Sequence, residues 1–327
     1  MQFSDFFATF PKLQNASNFS KNIIDSIRAD LKSELAPSEY KEKITIITTG
    51  SYGRGEASES SDLDLFVFFD SDLPDDVLSN EIECIQKVIE KHVPKSVGST
   101  GTFGADAIVK FSELLKNIGG ENDKNQSLTR RMLFLLEGTW LYGEQRFILY
   151  REELLKRYIK DIDIDKQISR FLLNDIIRYY RTITTDFEYK VTENQKSWGL
   201  RNIKLRFSRK LLYFGGIVSI AEIALIDHNE KITTLTKLLD EAILKRIYQV
   251  GTQNQHTRKI FDIYQEFIDI ISNEENRNLL DTVTKENRTE CKLFIKMRDL
   301  SKQFSSTLEH WLDEQYKDHP IHHALLF

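Results

Sequence analysis

The sequence predicts an α+β protein: a core of strands with flanking helices over residues 1–143, then an all-helical domain over 144–327. Two observations carry this. Ten of the 14 glycines fall between Gly50 and Gly143, and no proline occurs between Pro94 and Pro320. Chain breakers are dense where strands must reverse and sparse where long helices run. The hydrophobic period also changes along the chain. Residues 43–70 alternate as strands do, whereas Leu200, Ile203, Phe207, Leu211 and Phe214 recur at helical spacing. At 327 residues the chain can bury a substantial core and form two domains.

The organising stretch is 43–70. Ile44, Ile46 and Ile47 lie in a β-branched run that stops at Gly50-Ser51, as a buried strand stops at a glycine turn. Leu63, Leu65, Val67 and Phe69 then alternate with Asp62, Asp64 and Phe66, which gives a second strand. In that register the carboxylates of Asp62 and Asp64 leave the same face. Two neighbouring carboxylates repel each other unless a cation neutralises them, and hard oxygen donors suit Mg²⁺ (or Mn²⁺). A glycine turn exposes backbone N–H groups that suit a phosphate. Carboxylate pair and turn together point to nucleotidyl or phosphoryl transfer.

Before this stretch, Asn18–Leu35 carries Ile23, Ile24, Ile27 and Leu31 at helical spacing, with Ser20 as its N-cap. After it, a helix is expected over Asp75–His92. The glycines at 98, 101 and 104 lack a following Gly-Lys-Ser/Thr and read as a connecting loop rather than a P-loop. Phe111–Ile118 reads as a short helix closed by Gly119-Gly120. Ser127 or Thr129 is expected to cap the next helix, which runs through Leu136. Its Arg130 and Arg131 either meet phosphates or pair with Glu113, Glu121 or Glu137.

Helices are expected at about 147–160, 166–186, 198–226, 230–250, 256–273, 276–300 and 301–316. In the second of these, Asn174, Arg178 and Arg181 share one face. In the third, Arg201 with Lys204 and Arg206 with Lys210 flank the buried stripe. One flank, taken as Arg201 and Lys204, is expected to face the cleft and bind triphosphate or an acceptor backbone. His319, His322 and His323 near the C-terminus read as a solvated tail rather than a metal site.

Net charge is −5 with 29% charged residues, so there is no global basic field and any nucleic-acid contact must be local. Cys84 and Cys291 are too few for a disulfide scaffold and suggest a reducing compartment. No stretch approaches eighteen uninterrupted apolar residues. The expectation is a soluble, cytoplasmic protein with no membrane partner.

Gly50-Ser51 followed by Asp62-Leu63-Asp64-Leu65 resembles the signature of the DNA polymerase β-type nucleotidyltransferase superfamily. The longer run Gly-Ser-Tyr-Gly-Arg-Gly-Glu…Ser-Asp-Leu-Asp-Leu resembles the branch that holds the PII uridylyltransferases and many uncharacterised bacterial nucleotidyltransferases. The likeness covers roughly residues 43–215. It implies a polymerase β-like core in which Asp62 and Asp64 ligate metal and Gly50 and Ser51 grip the triphosphate. Arg54 would reach the same phosphates or pair with Glu56. A third catalytic carboxylate is implied as well, with Asp123 preferred to Asp106. The implied reaction moves a nucleoside monophosphate from an NTP such as ATP, or a dNTP, to an acceptor hydroxyl and releases pyrophosphate. The acceptor is open: a protein, a nucleic-acid end, or another nucleotide in a signalling or antiviral-defence oligonucleotide. The alternative is an inactive nucleotide-sensing or partner-binding module, antitoxin-like, on the same fold.

Overall fold

A computed structural model describes residues 2–69, 78–93, 108–160, 166–193 and 197–326. The chain divides into two compact units, residues 15–157 and residues 1–14 with 158–327. The first holds a mixed sheet and its helices. The second is helical throughout its described residues.

Two helices open the chain, α1 (Phe3–Phe7) and α2 (Pro11–Glu34). Pro11 is the first residue of α2, where its missing N–H leaves no hydrogen bond unmade. The helix therefore begins before Asn18, and Ser20 is not its N-cap. Ser20 lies inside the helix, donating to the Ala16 carbonyl at 2.8 Å and accepting the Ala57 N–H at 2.9 Å.

Strand β1 (Ile44–Thr49) is buried along its whole length and ends in the single turn α3 (Gly50–Gly53). Then come β2 (Asp64–Phe69), α4 (Ser79–His92), β3 (Ile108–Lys110) and α5 (Phe111–Leu114). The unit closes with α6 (Asn125–Glu137), β4 (Thr139–Tyr142) and α7 (Glu144–Tyr158). The sheet order is β3-β2-β1-β4. β1 is antiparallel to both neighbours, and β2 is parallel to β3.

Both faces of the sheet are covered. Leu65, Val67 and Phe69 pack with Ile24, Ile27 and Leu31 of α2 and with Ile85, Val88 and Ile89 of α4. Phe68 points the other way, against Phe111, Phe134 and Tyr150. Full burial of a side chain of this size contributes about 1.5–3 kcal/mol. α6 starts at Asn125 with no side-chain cap, rather than at a Ser127 or Thr129 cap.

In the second unit the helices are α8 (Arg170–Thr192), α9 (Gly199–Lys204), a π turn (Leu205–Arg209) and α10 (Lys210–Glu222). Then follow α11 (His228–Asp240), α12 (Ile243–Val250), α13 (Thr257–Ser272), α14 (Glu274–Asp281), α15 (Lys292–Gln315) and α16 (Ile321–Leu326). The stripe Leu200, Ile203, Phe207, Leu211 and Phe214 is buried as its spacing predicts.

Two helix assignments need correction. Residues 230–250 are two helices that break at Glu241-Ala242. Buried Arg246 stabilises the break by donating to the carbonyls of Glu241 at 2.7 Å and Leu239 at 3.1 Å. Residues 276–316 break at 282–291 rather than near 300. Asn287 bridges that turn, donating to the Thr282 carbonyl and accepting the Thr284 N–H.

Candidate active site

The site is built where β1 ends and β2 begins. Thr49 pairs with Asp64 across the ladder, so the glycine turn starts beside that carboxylate. Gly50 has φ +68°, a conformation that glycine adopts without penalty. Its missing side chain leaves room for Asp64: a Cβ there would stand 2.5 Å from Asp64 Oδ2. Gly53 is packed as closely, since a Cβ would come within 2.3 Å of the Glu137 carbonyl and 3.1 Å of that of Thr48. The turn backbone thus lies against the end of α6.

Residues 61–65 alternate buried and exposed, with Ser61, Leu63 and Leu65 inside and Asp62 and Asp64 outside. The alternation begins ahead of the strand proper and places both carboxylates on one side. That side has the parity of Phe68 and so faces the α5–α7 layer. The Thr48 hydroxyl donates to the Asp64 carbonyl at 2.9 Å and fixes the strand end. Burial pushes the Tyr52 hydroxyl up to about 12, and the nearby Asp62 charge adds to the shift.

Glu137, at the last position of α6, holds the turn. Its Oε1 accepts the Gly50 N–H at 3.0 Å, and its Oε2 accepts from Arg54 at 2.5 Å. Arg54 also donates to Glu56 at 2.8 Å, and all three side chains are nearly fully buried. The Arg54 guanidinium is therefore placed in the Glu56 pairing foreseen as its alternative, with Glu137 as second partner. Sequence reading weighed Glu137 only as a partner for Arg130 or Arg131. The signal was available: an acid ending an apolar helix must find a cation or donors when buried. Ser51 is half-buried, and its hydroxyl has no partner among the described residues.

Asp123 sits on the loop before α6, where its carboxylate receives Arg131 at 2.8 and 3.0 Å and the Gly119 N–H at 3.0 Å. Both side chains of that pair are wholly buried. Arg131 thus has Asp123 as an ion-pair partner, an acid that the sequence reading did not weigh for it. Asp106 and the glycines at 98, 101 and 104 lie outside the described residues. Among the described residues no group of three or more His, Cys, Asp or Glu side chains is gathered for a metal. The exposed pair Asp62 and Asp64, the latter packed where Gly50 lacks a side chain, fits a hard divalent ion in donor type and charge.

Gly50, Ser51, Arg54, Asp62 and Asp64 belong to the sheet unit, and Arg201 and Lys204 to the helical unit. Arg201 is exposed and Lys204 half-buried. Of the α8 face, Arg178 pairs with Asp175 at 3.4 Å. The C-terminal histidines make local contacts: His319 accepts the Ile321 N–H, and His322 meets the Tyr316 carbonyl.

A strand, a glycine turn and a second strand opening on paired aspartates thus form the centre of the sheet unit. Residues 25–99 match the family described as nucleotidyltransferase domain. That segment contains β1, the turn, β2 and α4, so the chain carries a nucleotidyltransferase domain of the polymerase β-like superfamily. A comparison with curated proteins found no match. No helix among the described residues is long and apolar enough to cross a membrane.

Proposed function

We propose that the protein is an active nucleotidyltransferase that moves a nucleoside monophosphate from an NTP or dNTP to an acceptor hydroxyl and releases pyrophosphate. The observation that carries this reading is the exposed Asp62–Asp64 pair beside a glycine whose side-chain space is needed by Asp64. Asp62 and Asp64 would hold Mg²⁺ or Mn²⁺. Bound there, the ion supplies charge neutralisation for the triphosphate and a lowered pKa for the attacking hydroxyl.

The chain's own residues have separable tasks. Glu137 fixes the Gly50 amide, and with Glu56 it fixes Arg54, so the turn is rigid before any ligand arrives. Ser51 offers its hydroxyl to the nucleotide phosphates. Arg54 acts by holding the turn, with its charge directed at the two buried carboxylates. Arg201 and Lys204 remain candidate phosphate contacts of the helical unit. Substituting both by Gln tests them through nucleotide affinity. The acceptor classes are a protein, a nucleic-acid end or a second nucleotide, and the proposed setting is cytoplasmic signalling or antiviral defence.

A second reading has one observation in its favour. Asp123, the preferred third carboxylate, is engaged by Arg131. A nucleotide-sensing module on the same fold would keep the Asp62–Asp64 pair without turnover. The deciding experiment incubates the full chain with each NTP and dNTP plus Mg²⁺ or Mn²⁺ and identifies products by mass. Pyrophosphate with a nucleotidylated product upholds the enzyme. Metal-dependent nucleotide binding with no product establishes the sensor.

A further inference from the structure

The helical unit holds a concentration of positive charge that is turned inward and is not neutralised. Arg206, in the π turn, and Lys210, opening α10, are both half-buried. Arg206 Nε donates to the neutral Asn202 Oδ1 at 2.6 Å, and Lys210 Nζ donates to the Ser305 hydroxyl at 2.5 Å. Among the described residues neither makes an ion pair. Arg298 of α15 adds a third charge close enough to act on Arg206. Its neighbour Asp299 is shared between Arg298 at 3.3 Å and Lys302 at 3.0 Å.

Burial foremost, then the neighbouring cation, pushes Arg206 and Lys210 below their ordinary pKa values. Two cations withdrawn from water and repelling each other destabilise a fold unless an anion compensates them. The scaffold around them is firm. Phe207, between them in sequence, stacks on Phe267 at 4.5 Å and on Phe304 at 5.3 Å. Tyr180 of α8 stacks on Tyr213 of α10 at 4.5 Å, and Arg206 acts on Tyr180. A π turn inside a long helix often marks a functional site, because its extra residue re-aims side chains.

We propose that Arg206 and Lys210, with Arg298 at the rim, form a binding site for an oligophosphate anion built entirely within the helical unit. The forked guanidinium and the ammonium supply charge-assisted donors to phosphate oxygens, and Asn202 and Ser305 hold them in place. This site needs neither a divalent ion nor the Asp62–Asp64 pair, so it does not rest on the transferase reading. The anion is either free pyrophosphate or the tail of a nucleoside triphosphate.

The test is isothermal titration calorimetry on the full chain in EDTA, with sodium pyrophosphate and ATP as separate probes. The wild-type chain is expected to bind pyrophosphate, and Arg206→Gln with Lys210→Gln to weaken it about tenfold or more. Lys237→Gln with Lys317→Gln removes two exposed charges from the same unit and is expected to leave binding unchanged. Equal affinity for both probes upholds the site and identifies the anion alone as ligand. Tighter ATP binding upholds it and adds a nucleoside contact. No binding of either probe, or equal losses in the two double variants, overturns it. If the double variant fails to fold, Lys210→Gln alone carries the test through the pyrophosphate-induced rise in Tm. That rise should shrink in the variant, and an undiminished rise overturns the proposal.

Discussion

The carboxylate of Glu137 accepts the backbone N–H of Gly50 at 3.0 Å across 87 residues of sequence. The same side chain takes Arg54 at 2.5 Å. The turn that begins the candidate site is therefore fixed by the far end of a helix that enters the chain much later.

Glu137→Gln tests that link. The amide oxygen still accepts the Gly50 N–H, but buried Arg54 loses the charge of one carboxylate partner. The expected cost is about 1–3 kcal/mol, read from urea unfolding. If the turn must be rigid to receive phosphates, nucleotide affinity falls in step.

Asp62→Asn and Asp64→Asn should separate stability from activity. Asp62 is exposed, so Asp62→Asn is expected to alter unfolding free energy by no more than about 0.5 kcal/mol without metal. Mg²⁺-dependent product formation should disappear in each. Retained turnover in both single variants would remove them as metal ligands.

Asp123→Asn should behave in the opposite way. It removes the carboxylate charge from a wholly buried ion pair with Arg131, which costs about 3–5 kcal/mol. A thermal melt detects this without any substrate. A variant as stable as wild type yet inactive would restore Asp123 as a catalytic carboxylate.

Tyr52 gives the sheet unit an alkaline limit. Its hydroxyl is pushed from an ordinary 10.0 up to about 12, by burial first and then by Asp62. Above pH 10 the unfolded chain loses this proton while the folded chain keeps it. The contribution is thus complete below pH 10 and is lost as pH rises through 12. Tyr52→Phe should flatten that part of the stability profile, and Asp62→Asn should lower the tyrosinate midpoint seen at alkaline pH by ultraviolet absorbance.

What sequence made legible is what local pattern encodes. The exposed–buried alternation from Ser61 to Leu65 and the stop at Gly50 are written in consecutive residues, so β1, the turn, β2 and the aspartate pair could be read directly. The buried stripe of α9 to α10 was legible for the same reason. Partners set by tertiary contact were not. Nothing near Asp123 announces Arg131, eight residues on, as its ion pair, because helix α6 must form before they meet. The break at Glu241-Ala242 has no glycine or proline, and it is held by Arg246 binding back onto carbonyls that a continuous helix would have used. Ser20 looked like a cap because its type favours one, yet Pro11 had already begun the helix.

The reach of Glu137 bears on how such a site can be inherited. The segment that matches the family ends at residue 99, before β3, α6 and β4. Cut out alone, it would leave β1 with a bare edge, strip the Phe68 face of its aromatic cover, and orphan the Gly50 amide. The recognisable motif is therefore not a transplantable module. Grafting experiments that seek to move this turn and its aspartate pair to another scaffold should carry residues 15–157 together, because the turn and the residue that sets its shape are encoded far apart.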